Sequence, residues 1–185
     1  VHQKIAAYRQ RAYADSYQTF LLSPQATAAT SFADGFAFDN RPYPAAWFYE
    51  GAYQFQKHFS GTVGELAAKG EEFECAKLID TLPQVKFWIR NLSGRPQTSF
   101  WLPTSTDRFY PDFVAMLNDG RIFAIEYKGA HLADGPDTLE KTNIGQLWAA
   151  KSQGKALFLM AEKRNSAGKD LMQQITAVLA TPANF

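Results

Sequence analysis

The tripeptide Asn118-Asp119-Gly120 separates two largely apolar runs, residues 113–117 and 121–128. Such a triplet between two strand-like runs is a strong β-hairpin signal, because glycine takes up the left-handed backbone of a tight turn without steric cost. Read as a three-residue loop, it pairs Leu117 with Arg121. Counting back then sets Asp112 opposite Glu126. Opposed residues of an antiparallel pair share a face, with Cβ atoms about 4.5–5.5 Å apart. Lys128 lies two residues further on and projects from that face as well. A two-residue turn would shift the register and send Glu126 to the other face.

Two carboxylates and an amine are therefore expected at the open end of one hairpin. They stand among Phe113, Val114, Ala115, Ile122, Phe123 and Ile125, where an unpaired charge costs several kcal/mol or more. A cation between the acids would compensate them. Hard oxygen donors, without thiolates or clustered histidines, favour Mg²⁺ or Mn²⁺ over zinc. The Tyr127 backbone carbonyl, between the two side chains in sequence, is a candidate third ligand. Such an ion polarises a phosphoryl oxygen and lowers the pKa of a bound water. Lys128 would orient that water or stabilise charge on a pentavalent phosphorus. The chemistry indicated is metal-assisted hydrolysis of a phosphodiester.

The remaining chain supplies a fold for this hairpin. Residues 1–22 place Ile5, Tyr8, Ala12, Tyr13, Tyr17, Phe20 and Leu21 at helical spacing. Residues 23–46, with Pro24, Pro42 and Pro44, read as a loop. The aromatic stretch 47–59 is expected to clamp that segment onto the core. Further on, a helix is predicted over 65–82, with Gly70 a point where it could break. Strands follow at 85–90 and 99–102, then the hairpin, a helix over 138–153, a wholly apolar strand at 156–160 and a helix over 167–180. The order is α/β: a mixed sheet flanked by helices, with a helical and irregular extension over 1–60 and a core over 61–185.

Composition closes off several classes. A chain of 185 residues that is 46% hydrophobic and 15% aromatic is not intrinsically disordered. No run of about 18 apolar residues exists, so no membrane span is expected. The single cysteine, Cys75, rules out a disulfide framework and a thiolate zinc site, and fits a core position in a reducing compartment, the cytoplasm. The first twenty residues lack the apolar centre of a signal peptide. The start at Val1 leads us to expect a module of a longer protein. Residues 145–152 lack the glycine that precedes lysine in a phosphate-binding loop, so no ATP site is expected.

Phe109-Tyr110-Pro111-Asp112-Phe113 and Glu126-Tyr127-Lys128-Gly129 resemble the motif of the PD-(D/E)xK nuclease superfamily. More narrowly, Val85-Lys86-Phe87-Trp88-Ile89-Arg90-Asn91 and Tyr127-Lys128-Gly129 are similar to the C-terminal endonuclease domain of type III restriction enzyme Res subunits and related helicase–nuclease fusions. The likeness spans roughly residues 65–160. It implies a restriction-endonuclease-like αβββαβ core, Mg²⁺ as cofactor with Mn²⁺ able to substitute, and DNA as substrate. It also implies a superfamily 2 helicase region in the same full-length chain and a methyltransferase subunit as partner. A helix glutamate would complete the metal site; Glu72 is the best match and Glu71 its rival. Arg90 and Asn91 would position backbone or phosphate, and Lys141, with Lys151 and Lys155, would face DNA. His131 could touch a phosphate. Some branches carry Gln-x-x-x-Tyr on the next helix; here Gln146 is followed by Ala150, so that role is not carried over. The alternative is a nuclease fold that grips nucleic acid without cutting it. A purely structural domain, its hairpin acids in ion pairs, is the third reading.

The net charge of +1 excludes a strongly basic binder. Between 81 and 130, however, Lys86, Arg90, Arg95, Arg108, Arg121 and Lys128 outnumber Asp107, Asp112, Asp119 and Glu126. With two acids engaged by metal, the surface left for DNA is expected to be more basic than +1.

Overall fold

The turn at 118–120 organises the main sheet. A computed structural model describes Phe38, residues 42–129 and residues 135–182. The expected helix over 1–22, most of the loop over 23–46 and His131 lie outside these residues. Helix α1 spans Glu71–Thr81, followed by strands β1 (Val85–Arg90), β2 (Leu102–Pro103), β3 (Arg108–Phe109), β4 (Phe113–Leu117) and β5 (Ile122–Lys128). Helix α2 (Pro136–Lys151), strand β6 (Ala156–Glu162) and helix α3 (Leu171–Leu179) complete the described chain. The four-stranded sheet runs β1-β4-β5-β6. Its first two pairings are antiparallel and the third is parallel, with α2 as the crossover. The fold is thus α/β, a mixed four-stranded sheet with three helices among the described residues.

Several boundaries differ from the sequence expectation for local reasons. Gly70, at φ +107°, ends the irregular stretch 65–70, so the first helix starts at Glu71. Pro136 opens α2 in the first turn, where its missing N–H leaves nothing unpaired. Asp170 caps α3 in a reciprocal box with Gln173, which delays that helix to Leu171. The strand expected at 99–102 does not enter the main sheet: Leu102 and Pro103 pair with Phe109 and Arg108 in a separate ribbon.

The sheet buries both faces. Phe113, Ala115, Leu117, Phe123, Ile125 and Tyr127 pack with α1 and α3 residues such as Ile79 and Ile175. Val114, Ala124 and Phe158 pack on the other face with Ile144 and Trp148 of α2 and with Phe100, Leu102 and Phe109. Gly145 allows α2 to approach: a Cβ there would lie 2.4 Å from the Phe158 ring. The aromatic stretch 47–59 sits beside β1, where Tyr49, Tyr53 and Phe55 join the first cluster.

Candidate active site

Gly120, at φ +87°, closes the turn, and its N–H reaches the Leu117 carbonyl at 3.0 Å. Leu117 N–H in turn donates to Arg121 O at 2.9 Å. Met116 pairs with Ile122, Ala115 with Phe123, Val114 with Ala124 and Phe113 with Ile125. This is the register of a three-residue loop, and the next pair along is Asp112 and Glu126. The Asp112 backbone N–H donates to Glu126 Oε2 at 3.1 Å, and the Tyr127 N–H donates to Asp112 Oδ2 at 2.8 Å. The N–H and C=O of one antiparallel-strand residue point to the same side, so the Tyr127 carbonyl also faces the start of β4.

The remaining candidates divide between the two sides of the sheet. Glu126 alternates with Ile125 and Tyr127 and therefore projects with Ala124 toward α2, the helix that carries Lys141. Glu72 rises from α1 on the other side. Arg90 links the two sides: its Nη2 lies 2.6 Å from Glu72 Oε2 and its Nη1 lies 2.8 Å from Asp112 Oδ1. The guanidinium also stands 5.0 Å from the Phe113 ring. Its side chain is 12% exposed, so Arg90 is an internal counter-ion rather than an open phosphate contact. Glu71 pairs loosely with Lys163 at 3.9 Å.

Asn91 takes a structural role in place of the expected contact with DNA. It is buried, its side-chain amide donates to Phe100 O and Pro111 O at 2.8 Å each, and its oxygen accepts Phe100 N–H at 2.9 Å. That clasp fixes the loop leading into Asp112. Lys128 shares the Glu126 face, but its Nζ lies 3.1 Å from Glu162 Oε1, the residue opposite it on β6. Lys141 pairs with Asp137 at 2.7 Å and lies over the Phe109 ring at 5.8 Å.

Comparison with protein-family models, curated proteins and solved structures found no match for this chain.

At the rim Asp112 is paired with Arg90, and Glu126 is the acid whose ionisation is disfavoured. Burial, reinforced by Asp112, pushes Glu126 up to about 9, against smaller opposing pulls from Lys141 and Arg90. Burial also raises Glu72, against the pull of Arg90. Lys141 is held above the usual lysine range: burial opposes this, but Asp137, Glu126 and Asp112 outweigh it. Among the described residues no three His, Cys, Asp or Glu side chains converge on one point. Asp112 and Glu126 are linked through the Asp112 and Tyr127 N–H groups, with the Tyr127 carbonyl on the same rim, and these are the donors available there. They are hard oxygens, and the raised Glu126 would ionise readily beside a dication, so the residues fit Mg²⁺ or Mn²⁺. Glu72 does not join that set, because Arg90 holds it.

Sequence reasoning missed Glu162, because β6 was expected to stop at Met160. It also missed the bridging role of Arg90. An arginine on a strand otherwise filled with apolar residues was the available signal.

Proposed function

We propose that this chain is a Mg²⁺-dependent endodeoxyribonuclease module, resembling the nuclease of type III restriction enzymes and related helicase–nuclease fusions. The observation that carries this is the pairing of Asp112 with Glu126 at the open end of the hairpin, with the Tyr127 carbonyl facing the same rim. The helix, antiparallel strands, crossover helix and parallel strand occur in the order that the αβββαβ core requires, which also favours it.

In this reading Asp112, Glu126 and the Tyr127 carbonyl hold the ion, which when bound supplies Lewis-acid polarisation of the phosphoryl oxygen and a more acidic water. To hold the ion Glu126 would have to be ionised. Lys128 would have to give up its contact with Glu162 to orient the attacking water or offset negative charge at phosphorus. The water oxygen would bond to phosphorus as one P–O ester bond breaks, the water losing one proton to solvent and the leaving oxygen taking one from solvent. Glu72 acts indirectly through Arg90. Lys141 faces the acids from α2 and is placed to meet a phosphate.

A plasmid-nicking assay in Mg²⁺ and in Mn²⁺ tests this. Wild-type protein should convert supercoiled plasmid to open circle, and Asp112→Asn should slow that by about a hundredfold or more, as loss of a metal ligand does. A second reading, a nuclease fold that binds without cutting, is favoured by the Arg90–Asp112 and Lys128–Glu162 pairs, which neutralise these groups without metal. DNA binding with no nicking in either metal, by this chain and by the full-length protein, would establish it.

A further inference from the structure

Strand β1 lies at the edge of the main sheet, where unpaired backbone groups are normally exposed. Residues 57–59 cover part of that edge. Trp88 N–H donates to Lys57 O at 2.9 Å, and Phe59 N–H donates to Trp88 O at 2.7 Å. At Arg90 the covering backbone has already turned away, since Gly61 N–H closes back on His58 O. Two side chains take its place. His58 Nε2 accepts the Arg90 N–H at 3.1 Å, and the Tyr43 hydroxyl donates to Arg90 O at 2.8 Å while accepting Gly64 N–H at 3.2 Å. Both backbone groups of the residue whose guanidinium joins Glu72 to Asp112 are thereby held from outside the strand.

Packing does not account for a histidine here. Its ring meets Trp88 edge-on at 4.8 Å and Tyr43 at 5.6 Å, contacts a phenylalanine would also make. Burial lowers His58 to about 4, so at neutral pH the ring is uncharged. With Nε2 accepting, the proton sits on Nδ1, which is buried and has no hydrogen-bond partner among the described residues. A buried unmatched donor is unfavourable and calls for a reason. The Arg90 N–H supplies one.

We propose that His58, with Tyr43, is a positioning residue that fixes the Arg90 backbone so that its guanidinium bridges Glu72 and Asp112. Residues 42–60 are then part of the site and not a separable appendage. The effect on metal affinity rests on the reading of Asp112 as a metal ligand; the effect on Arg90 itself does not.

The test compares His58→Phe, His58→Gln and Tyr43→Phe with wild type. Nitrogen and carbon NMR of the Arg90 guanidinium reports whether its ion pairs are held. Calorimetric titration with Mn²⁺ alone reports the neighbouring ligands, and thermal melts report folding. His58→Phe should keep the packing but average the Arg90 side-chain signals and weaken Mn²⁺ binding by about tenfold, the usual effect of disturbing the support of a ligand. His58→Gln, whose side-chain oxygen can accept the Arg90 N–H, should stay within about twofold of wild type. A folded His58→Phe protein with wild-type Arg90 signals overturns the inference, as does a His58→Gln protein no better than His58→Phe. Should His58→Phe fail to fold, Tyr43→Phe decides: averaged Arg90 signals support the inference and unchanged signals overturn it. Arg90 signals that respond as expected in a protein that binds no Mn²⁺ leave the positioning role standing and remove the metal reading.

Discussion

At pH 7 a carboxyl held near 9 carries its proton in most metal-free molecules. Glu126 in the unfolded chain loses that proton near its ordinary value of 4.5. The folded state therefore binds one more proton than the unfolded state between those two values. The stability contributed below pH 4.5 is lost as pH rises toward 9, at on the order of 1 kcal/mol per pH unit. Glu126→Gln removes the titration while keeping the side-chain shape. Metal-free Glu126→Gln should match wild type near pH 4.5 and exceed it by a few kcal/mol at pH 8, measured by urea unfolding. Mn²⁺ should stabilise wild type and leave Glu126→Gln almost unmoved. A wild-type protein whose stability does not fall relative to Glu126→Gln between pH 5 and 8 would show that Glu126 is ionised in the fold. Burial raises Glu72 in the same direction, with the Arg90 guanidinium at 2.6 Å pulling against it.

Among the elements, α1 is tied to the sheet by one buried acid. Asp80 accepts hydrogen bonds from Trp88 Nε1 at 2.8 Å, from the backbone of Gln56 and Lys57 at 2.9 Å each, and from the Tyr53 hydroxyl at 3.3 Å. It joins the helix, β1 and the covering segment at a single point. Asp80→Ala leaves the buried Trp88 Nε1–H and three part-buried donors without their acceptor and opens a void, and should cost about 3–5 kcal/mol by denaturant unfolding, with Asp80→Asn intermediate. The hairpin needed no such long-range tie to be read, because turn chemistry and a period of two fix its register locally. The crossover helix and β6 were legible for a different local reason, as a long periodic run and a wholly apolar one. What sequence did not show were partners brought together by the sheet. Arg90 meets Glu72 across 18 positions and Asp112 across 22, and Lys128 meets Glu162 across 34. Composition alone made Glu71 as eligible as Glu72. Asp80 was hidden because an acid in a helix ordinarily faces water.

For the molecule as a whole, charge pairing reverses the expectation of a basic surface around the hairpin. Of the six bases between 81 and 130, Arg90 is bound to Glu72 and Asp112, Arg95 to Glu65, Arg121 to Asp119 and Lys128 to Glu162. Arg121 is buried besides, with its guanidinium donating to the Thr181 carbonyl at 2.6 Å. Lys86 and Arg108 are left, each against an aromatic ring. An apparent surplus of cations thus becomes internal structure, and few are placed to neutralise phosphate. Each phosphate neutralised on duplex DNA steepens the fall of log K with log salt by about 0.9. This chain should therefore bind a short duplex weakly, with a slope shallower than about −3, measured by fluorescence anisotropy across a salt series. Lys141→Ala should flatten that slope further, since Lys141 faces the acids where a scissile phosphate would lie. A slope near −6 or steeper would mean that the ion pairs open on contact with DNA, and Arg90 and Lys128 would then be the first residues to substitute. A shallow slope would mean that these residues alone supply little phosphate neutralisation.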